Sequence, residues 1–306
     1  MRLADHVVRY HAEMLSDRVR TSTFLDLVRR NVRPGDVVVD IGTGTGIFAI
    51  AAARAGAAHV YAIEAGPIAR VTEDLFQANG VVDRITLLRN WSTQVRLPKV
   101  VDVVVAELIG NDPLAERVFG ITKDAIRRFL KPDGRLIPSG LRILGQPVQL
   151  PNAEIRRRMF RREALDSWGC WYELEFGPLA EVEHLDGSLD YVNPRQMRKW
   201  KALSEPALLA EMDFRTWNRQ WIRSETTLTA TSRGRLDGLI VYFELMDGRT
   251  PFLSTRPIEV KKDNHWLSPL YLFKEVEAVK SGDPLTVSYR YRLGTGRSYC
   301  TVRKHT

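Results

Sequence analysis

Cysteine is nearly absent: Cys170 and Cys300 are the two in 306 residues. So few thiols, without metal-ligand spacing, exclude a disulfide-stapled secreted fold and a cysteine-built metal site, and they fit a reducing, cytoplasmic compartment. Long apolar runs are also missing. The longest, around Ile47 to Ala58, is interrupted by Arg54 and too short to cross a bilayer, and the opening stretch MRLADHVVRYH carries no apolar export core. Internal repeats and low-complexity tracts are lacking, which excludes solenoids and disordered scaffolds. What remains is an ordinary globular composition. The chain is 44% apolar, enough to bury a large core, and its length predicts about two domains. Its net charge of +8, from 45 basic and 37 acidic residues, attracts polyanions and anionic small molecules and repels a basic peptide tail. The expectation is a soluble protein with no metal and no membrane partner.

From Asp36 to Glu107, short β-branched runs alternate with helical patterns. Strands are expected at 37–41, 59–64, 85–88 and 101–106, with helices at 46–55 and 67–79, the signature of a parallel sheet wound with helices. A further helix is expected over 113–130, ending in the turn Lys131-Pro132-Asp133-Gly134 before 135–137 resumes as strand. This Rossmann-like unit, with a helix ahead of it, fills residues 1–140. Residues 141–306 change texture to alternating strands such as 226–231, 239–245, 266–273 and 285–292, a mostly antiparallel β-barrel or sandwich. The fold class is therefore α/β followed by β. A basic helical arm is expected at about 153–190, its helix over 153–165. Arg156, Arg157, Arg158, Arg161 and Arg162 read as its solvated face, with a nucleic-acid patch as the less favoured alternative, and Trp168, Trp171 and Tyr172 after them suit docking on a partner subunit.

Asp40-Ile41-Gly42-Thr43-Gly44-Thr45-Gly46 sits where the first strand opens into a helix. Glycines there let the backbone pass close to a ligand, and the helix N-terminus favours a negative group. A dinucleotide fingerprint would put its last glycine where Ile47 stands. The G-x-G-x-G spacing with Asp40 ahead points instead to S-adenosylmethionine. Glu64 ends the next strand, 24 residues after Asp40, where its carboxylate can accept both ribose hydroxyls.

Just beyond the fourth strand stand Glu107 and Glu116, nine positions apart. A carboxylate pair at the mouth of a methyl-donor site can grip a cation, and a guanidinium is the cation whose flat fork suits two carboxylates best. Arginine is thus the expected acceptor. A free guanidinium, with a pKa of about 12.5 to 13.8, has delocalised lone pairs and attacks slowly. Two carboxylates on different nitrogens would localise the positive charge away from the attacking one and hold it in line.

Together with His11 to Thr21 (HAEMLSDRVRT) and Asn264-His265-Trp266, these motifs resemble the protein arginine N-methyltransferases over nearly the whole chain. The resemblance implies that Glu107 and Glu116 clamp the guanidinium, that Arg20 binds the cofactor's carboxylate, and that Asp17 pairs with His265 to steady the pocket and carry off the proton. It puts Met14 beside the acceptor nitrogens, as in members making monomethyl or asymmetric dimethyl products. It also aligns Thr93 with the family's adenine-binding glutamate, sets Trp266 near the substrate, and implies a homodimer joined through the arm. Glu13, Asp17 and Arg20, at i, i+4 and i+7, are expected on one face of the first helix.

Three departures bear on the acceptor. The family's N-terminal tyrosine motif would fall near residues 1 to 5, which read MRLAD, leaving Tyr10 as a stand-in. Between the glutamates, the family's aromatic residues give way to LIGNDPLA, residues 108–115. Asp112 there is either an N-cap ahead of Pro113 or a partner for the α-ammonium of a free amino acid. These changes tilt the expectation toward free L-arginine or a small guanidino compound over protein arginine, with a non-catalytic cofactor-binding dimer subunit as a third reading. Nucleic-acid methylation is not expected, because an Asn-Pro-Pro-aromatic motif is missing after the fourth strand.

Overall fold

The run VVVDI is buried along its whole length, as a strand covered on both faces must be. It forms β1 (Val37–Ile41), the centre of a five-stranded parallel sheet with β2 (His59–Ile63), β3 (Ile85–Leu88), β4 (Val101–Val105) and β5 (Leu130–Ile137) in the order β3-β2-β1-β4-β5. The structure, a computed structural model, describes residues 5–114, 117–158, 162–181, 189–295 and 297–305. The strand order reverses at β1, so the loops leaving β1 and β4 flank one crevice at the carboxyl edge, where sheets of this kind bind ligands. Register fixes this juxtaposition, with Asp40 opposite Val105.

Helices α1 (Asp5–Ser16) and α2 (Arg18–Asn31) precede the sheet, and α3 (Ile47–Arg54), α4 (Ala69–Ala78) and α5 (Val118–Arg128) cover it. The single first helix expected from spacing is two. Asp17 leaves helical geometry and caps α2, its side chain accepting from the Arg20 amide at 3.0 Å. Glu13 therefore shares no face with Arg20 and is exposed. The third wound helix also starts later than expected, at Val118 rather than near Pro113. The turn expected at 131–134 lies inside β5, which runs through it with a register shift against β4. Gly134 allows this, since a Cβ there would stand 3.0 Å from the Asp102 carbonyl oxygen.

The second half is a β-barrel built from antiparallel strands. A seven-stranded group contains β6 (Gly140–Gln149), β7 (Leu189–Val192), β8 (Lys201–Ala202), β9 (Ala207–Asp213), and, after β10 (Trp221–Thr229), the long β11 (Gly234–Asp247), β12 (Thr250–Ser254) and β13 (Ser268–Val279). β10 pairs instead with β14 (Pro284–Arg292), which pairs with β15 (Arg297–Lys304). Between β6 and β7 the arm carries α6 (Asn152–Arg158) and α7 (Arg162–Tyr172) in place of one helix, residues 159–161 lying outside the described residues, and α8 (Pro194–Met197) follows β7. Arg157 and Arg158 pair with Glu154, and Arg158 also with Asp190, which favours the solvated-face reading of that arm. One apolar core runs unbroken from Val39 and Val104 through Leu141 to Leu239 and Tyr289, so sheet and barrel are packed as one body around the crevice.

Candidate active site

The loop after β1 turns three times through positive φ, at Gly42 (67°), Gly44 (56°) and Gly46 (79°). Two of these positions also admit nothing larger. A Cβ on Gly42 would lie 2.5 Å from the Leu108 side chain of the loop after β4, and one on Gly46 would lie 2.3 Å from Phe76. Asp40 holds the loop from behind. It is buried, accepts from the Thr43 hydroxyl at 2.5 Å, and burial pushes its carboxyl up to about 7 against bonds from Thr43 and the Ala49 amide. Glu64 ties the loop from the front, accepting from the amides of Gly44 at 2.8 Å and Gly66 at 2.6 Å.

A cavity of about 290 Å³ opens in front of this loop, at the lower end of ligand-site volumes. Gly42, Glu64, Met14 and Glu107 line it, and so do Tyr10 and His11. Asp40, Gly44 and Gly46 shape it without lining it. Thr93 is exposed and lies outside the lining, where its neighbours Trp91 and Ser92 stand instead. His11 is a residue the sequence reading passed over, though it falls three positions before Met14 on the same helix face. Its ring stands against Gly44, and burial lowers its pKa, with Glu64 opposing and Arg20 reinforcing that shift.

Arg20 lies between the Phe48 and Trp266 rings, 5.8 Å from each centroid. One guanidinium nitrogen, Nη2, makes a buried ion pair with Glu107, and Nη1 donates to the Met14 carbonyl at 3.4 Å. Burial lowers the guanidinium to about 10, with Asp17 pulling the other way, so it stays charged at neutral pH. Its Nε is an orphaned buried donor, and Arg20 stands behind Met14 and Glu107 without itself lining the cavity. Glu107 in turn accepts from the Ile109 amide at 3.3 Å. Glu116 lies outside the described residues.

The barrel closes the far side. His265 reaches Asp17 twice, its Nδ1 at 2.9 Å and its amide at 3.1 Å. Burial opposes ionisation of Asp17, but the bonds from the His265 ring and from the Arg20 and His265 amides outweigh it and hold the carboxyl below its ordinary value. Trp266 is buried, and its indole N–H donates to the Ile109 carbonyl at 2.8 Å, so it is packing that pins the Glu107 loop and presents no polar atom to a substrate. The Leu267 amide adds a second stitch to Asn111 at 2.7 Å. Asp112 ends this loop. It caps no helix: one oxygen accepts from the Leu114 amide and the other from the Tyr291 hydroxyl, both at 3.1 Å, and burial raises its carboxyl.

A site for S-adenosylmethionine fits this donor set. Glu64 offers acceptors for a ribose diol, Ile41 and Ile63 an apolar wall, and Arg20 a free N–H for a carboxylate. Comparison with known proteins agrees with the geometry. Residues 19–176 match the model of the ribosomal protein L11 methyltransferase family, and residues 150–293 match that of the arginine methyltransferase oligomerization subdomain. The arginine N(omega)-methyltransferase of Streptomyces achromogenes subsp. streptozoticus is 30% identical over 296 residues, covering 94% of this chain and 76% of its own. A protein arginine N-methyltransferase, PRMT10 of Oryza sativa subsp. japonica, is 30% identical over 305 residues, covering 92% and 80%. The crystal structure of Arabidopsis thaliana protein arginine methyltransferase 10 superposes with a TM-score of 0.78 over 97% of both chains at 23% identity. The Trypanosoma brucei PRMT1 enzyme-prozyme complex with AdoHcy gives 0.78 at 21% identity, over 97% of this chain and 98% of that one. At these identities the two structures establish the fold alone.

Proposed function

The chain belongs to the protein arginine N-methyltransferase family and is an S-adenosylmethionine-dependent arginine methyltransferase, and from that premise we propose that its acceptor is free L-arginine or a small guanidino compound. When bound, the cofactor supplies a methyl group on a sulfonium centre. Glu64 and Gly42 would hold its nucleoside and Arg20 its carboxylate. Glu107, with Glu116 as its second arm, would orient the acceptor guanidinium and draw positive charge away from the attacking nitrogen. Such alignment can remove about 7 to 11 kcal/mol of barrier in the best cases. The Asp17–His265 pair would fix the barrel wall of the pocket and receive the released proton. Met14, at the cavity wall, would limit how many methyl groups fit.

Asp112 carries the choice of acceptor. A half-buried carboxylate whose partners are an amide and a phenol has its charge uncompensated, and no basic side chain pairs with it among the described residues. The α-ammonium of a free amino acid supplies that charge, and a peptide arginine has none to give. Asp112→Ala should raise KM for L-arginine by about 10- to 150-fold, the range of one charge-assisted hydrogen bond, while leaving Nα-acetyl-arginine unchanged. Initial rates on L-arginine, Nα-acetyl-arginine and a glycine-arginine-rich peptide test this. A wild-type preference for the peptide would return the protein to the second reading, peptide arginine methylation, which the names of most relatives favour.

We also propose that it works as a homodimer. The arm exposes Trp171, Tyr172 and Leu174, and an apolar groove of about 400 Å³ runs over the cofactor unit past Leu15, Leu25, Ile47, Ile50 and Leu75. The arm of one subunit in the groove of the other covers both. Sedimentation at micromolar concentration should give twice the 34.9 kDa chain mass, and a monomer would reject the pairing. Two unpaired thiols support residence in the cytoplasm, which cell fractionation would check, and no helix among the described residues is long and apolar enough to cross a membrane.

A further inference from the structure

The sheet of β10, β14 and β15 buries Ile222, Leu285, Val287, Tyr289, Tyr291 and Val302 on its inner side and leaves its other face open. A cavity of about 530 Å³ lies on that face, and none of its lining residues belongs to the active site. Cross-strand register assembles it from residues far apart in sequence. Arg223 stands opposite Arg290, and Arg290 opposite Tyr299; Thr227 stands opposite Thr286, and Thr286 opposite Arg303. The Arg223 and Arg292 guanidinium groups each lie 5.5 Å from the Trp221 ring centroid. Among the described residues none of these four arginines makes an ion pair, and Glu225 is the one carboxylate in the cavity lining.

We propose that this face binds single-stranded nucleic acid. Arg290 and Arg292 stand two positions apart on one strand, about 6.8 Å, Arg223 lies across from Arg290 at about 4.8 Å, and Arg303 lies on the next strand four positions further along, so the four guanidinium groups spread a positive field of the kind that captures successive phosphates. Tyr299, 68% exposed and in the cavity lining, offers a ring face on which a base stacks, while Trp221 carries the Arg223 and Arg292 guanidinium groups. An acidic peptide is the poorer occupant. The floor is a lattice of hydroxyls, Thr227 bonded to Thr286 at 2.9 Å and Thr286 to His305 at 2.7 Å, and among the described residues of β10, β14 and β15 no Leu, Ile, Val or Met falls on this side by strand alternation. A protein partner would find no apolar pocket for an anchor, whereas a nucleic acid brings its own stacking surface. The inference rests on this face alone and is independent of which acceptor the active site methylates.

Fluorescence anisotropy with a short labelled oligouridine, scanned from about 50 to 300 mM salt, tests it. Micromolar binding is expected at the lowest salt, with a log–log slope near −2.8, about 0.7 for each of four arginines. Arg290→Glu with Arg303→Glu should weaken binding at least tenfold and flatten the slope by about 1.4, with an unchanged melting temperature because both side chains are exposed. Tyr299→Ala should weaken it about fivefold or more at constant slope. No binding at 50 mM salt would overturn the proposal. So would equal affinity for polyglutamate or for uridine monophosphate, or binding lost with Arg156 and Arg157 of the arm but kept without Arg290 and Arg303.

Discussion

Glu107→Gln is expected to cut kcat by about 10²- to 10³-fold, the range seen when a single preorganised electrostatic contact to a transition state is removed. Glutamine keeps the shape and one acceptor oxygen but loses the charge that would polarise the acceptor. The same change strips Arg20 of its counter-ion, so the melting temperature should fall as well, and the kinetic effect must be read well below that transition. Calorimetric titration with cofactor separates the two consequences. A kcat within tenfold of the wild type would remove Glu107 from the chemistry.

Arg20→Ala should affect both stability and cofactor affinity. Breaking a buried ion pair from one side costs about 3 to 5 kcal/mol, because the remaining charge is left without a partner, and here that charge is Glu107, 6% exposed. The missing donor should also weaken cofactor binding by about 10- to 150-fold. Denaturant unfolding of Arg20→Ala, Glu107→Gln and the double variant forms a cycle that isolates the pair. The second substitution should restore part of the stability lost to the first. Strictly additive losses would show that the two side chains do not depend on each other.

The sheet was legible because each of its first four strands is a short β-branched run bounded by turn residues, and the pattern repeats at the spacing a parallel sheet requires. The glycine loop was legible because a backbone approach leaves a residue signature. Where the reading slipped, the deciding contact lay far along the chain. The helical period runs smoothly through Asp17, but its carboxylate is claimed by His265, 248 residues later, and by the start of a new helix. Asp112 before Pro113 looks like a helix start, yet Tyr291 takes one of its oxygens and the helix begins at Val118. The clustered arginines of the arm read as a charge patch, but two of them, Arg157 and Arg158, pair with Glu154 and Asp190. The unpaired ones meet only through strand register, which no local pattern in the sequence displays.

The distance in sequence between the two walls of the cleft fixes when the catalyst comes into being. The parallel sheet and its glycine loop are complete by Ile137, while the indole that pins the Glu107 loop and the imidazole that holds Asp17 arrive at Trp266 and His265, in the last fifth of a 306-residue chain. During synthesis the residues of the cofactor unit therefore exist before those of the acceptor wall, and the loop bearing Glu107 gains its bonds to Trp266 and Leu267 only after the barrel sequence has followed. Contacts across such separations form slowly, because the long intervening loop must be closed before they contribute. The residues of the cofactor wall thus leave the ribosome well before those that complete the acceptor wall, and the cleft exists only once both are joined.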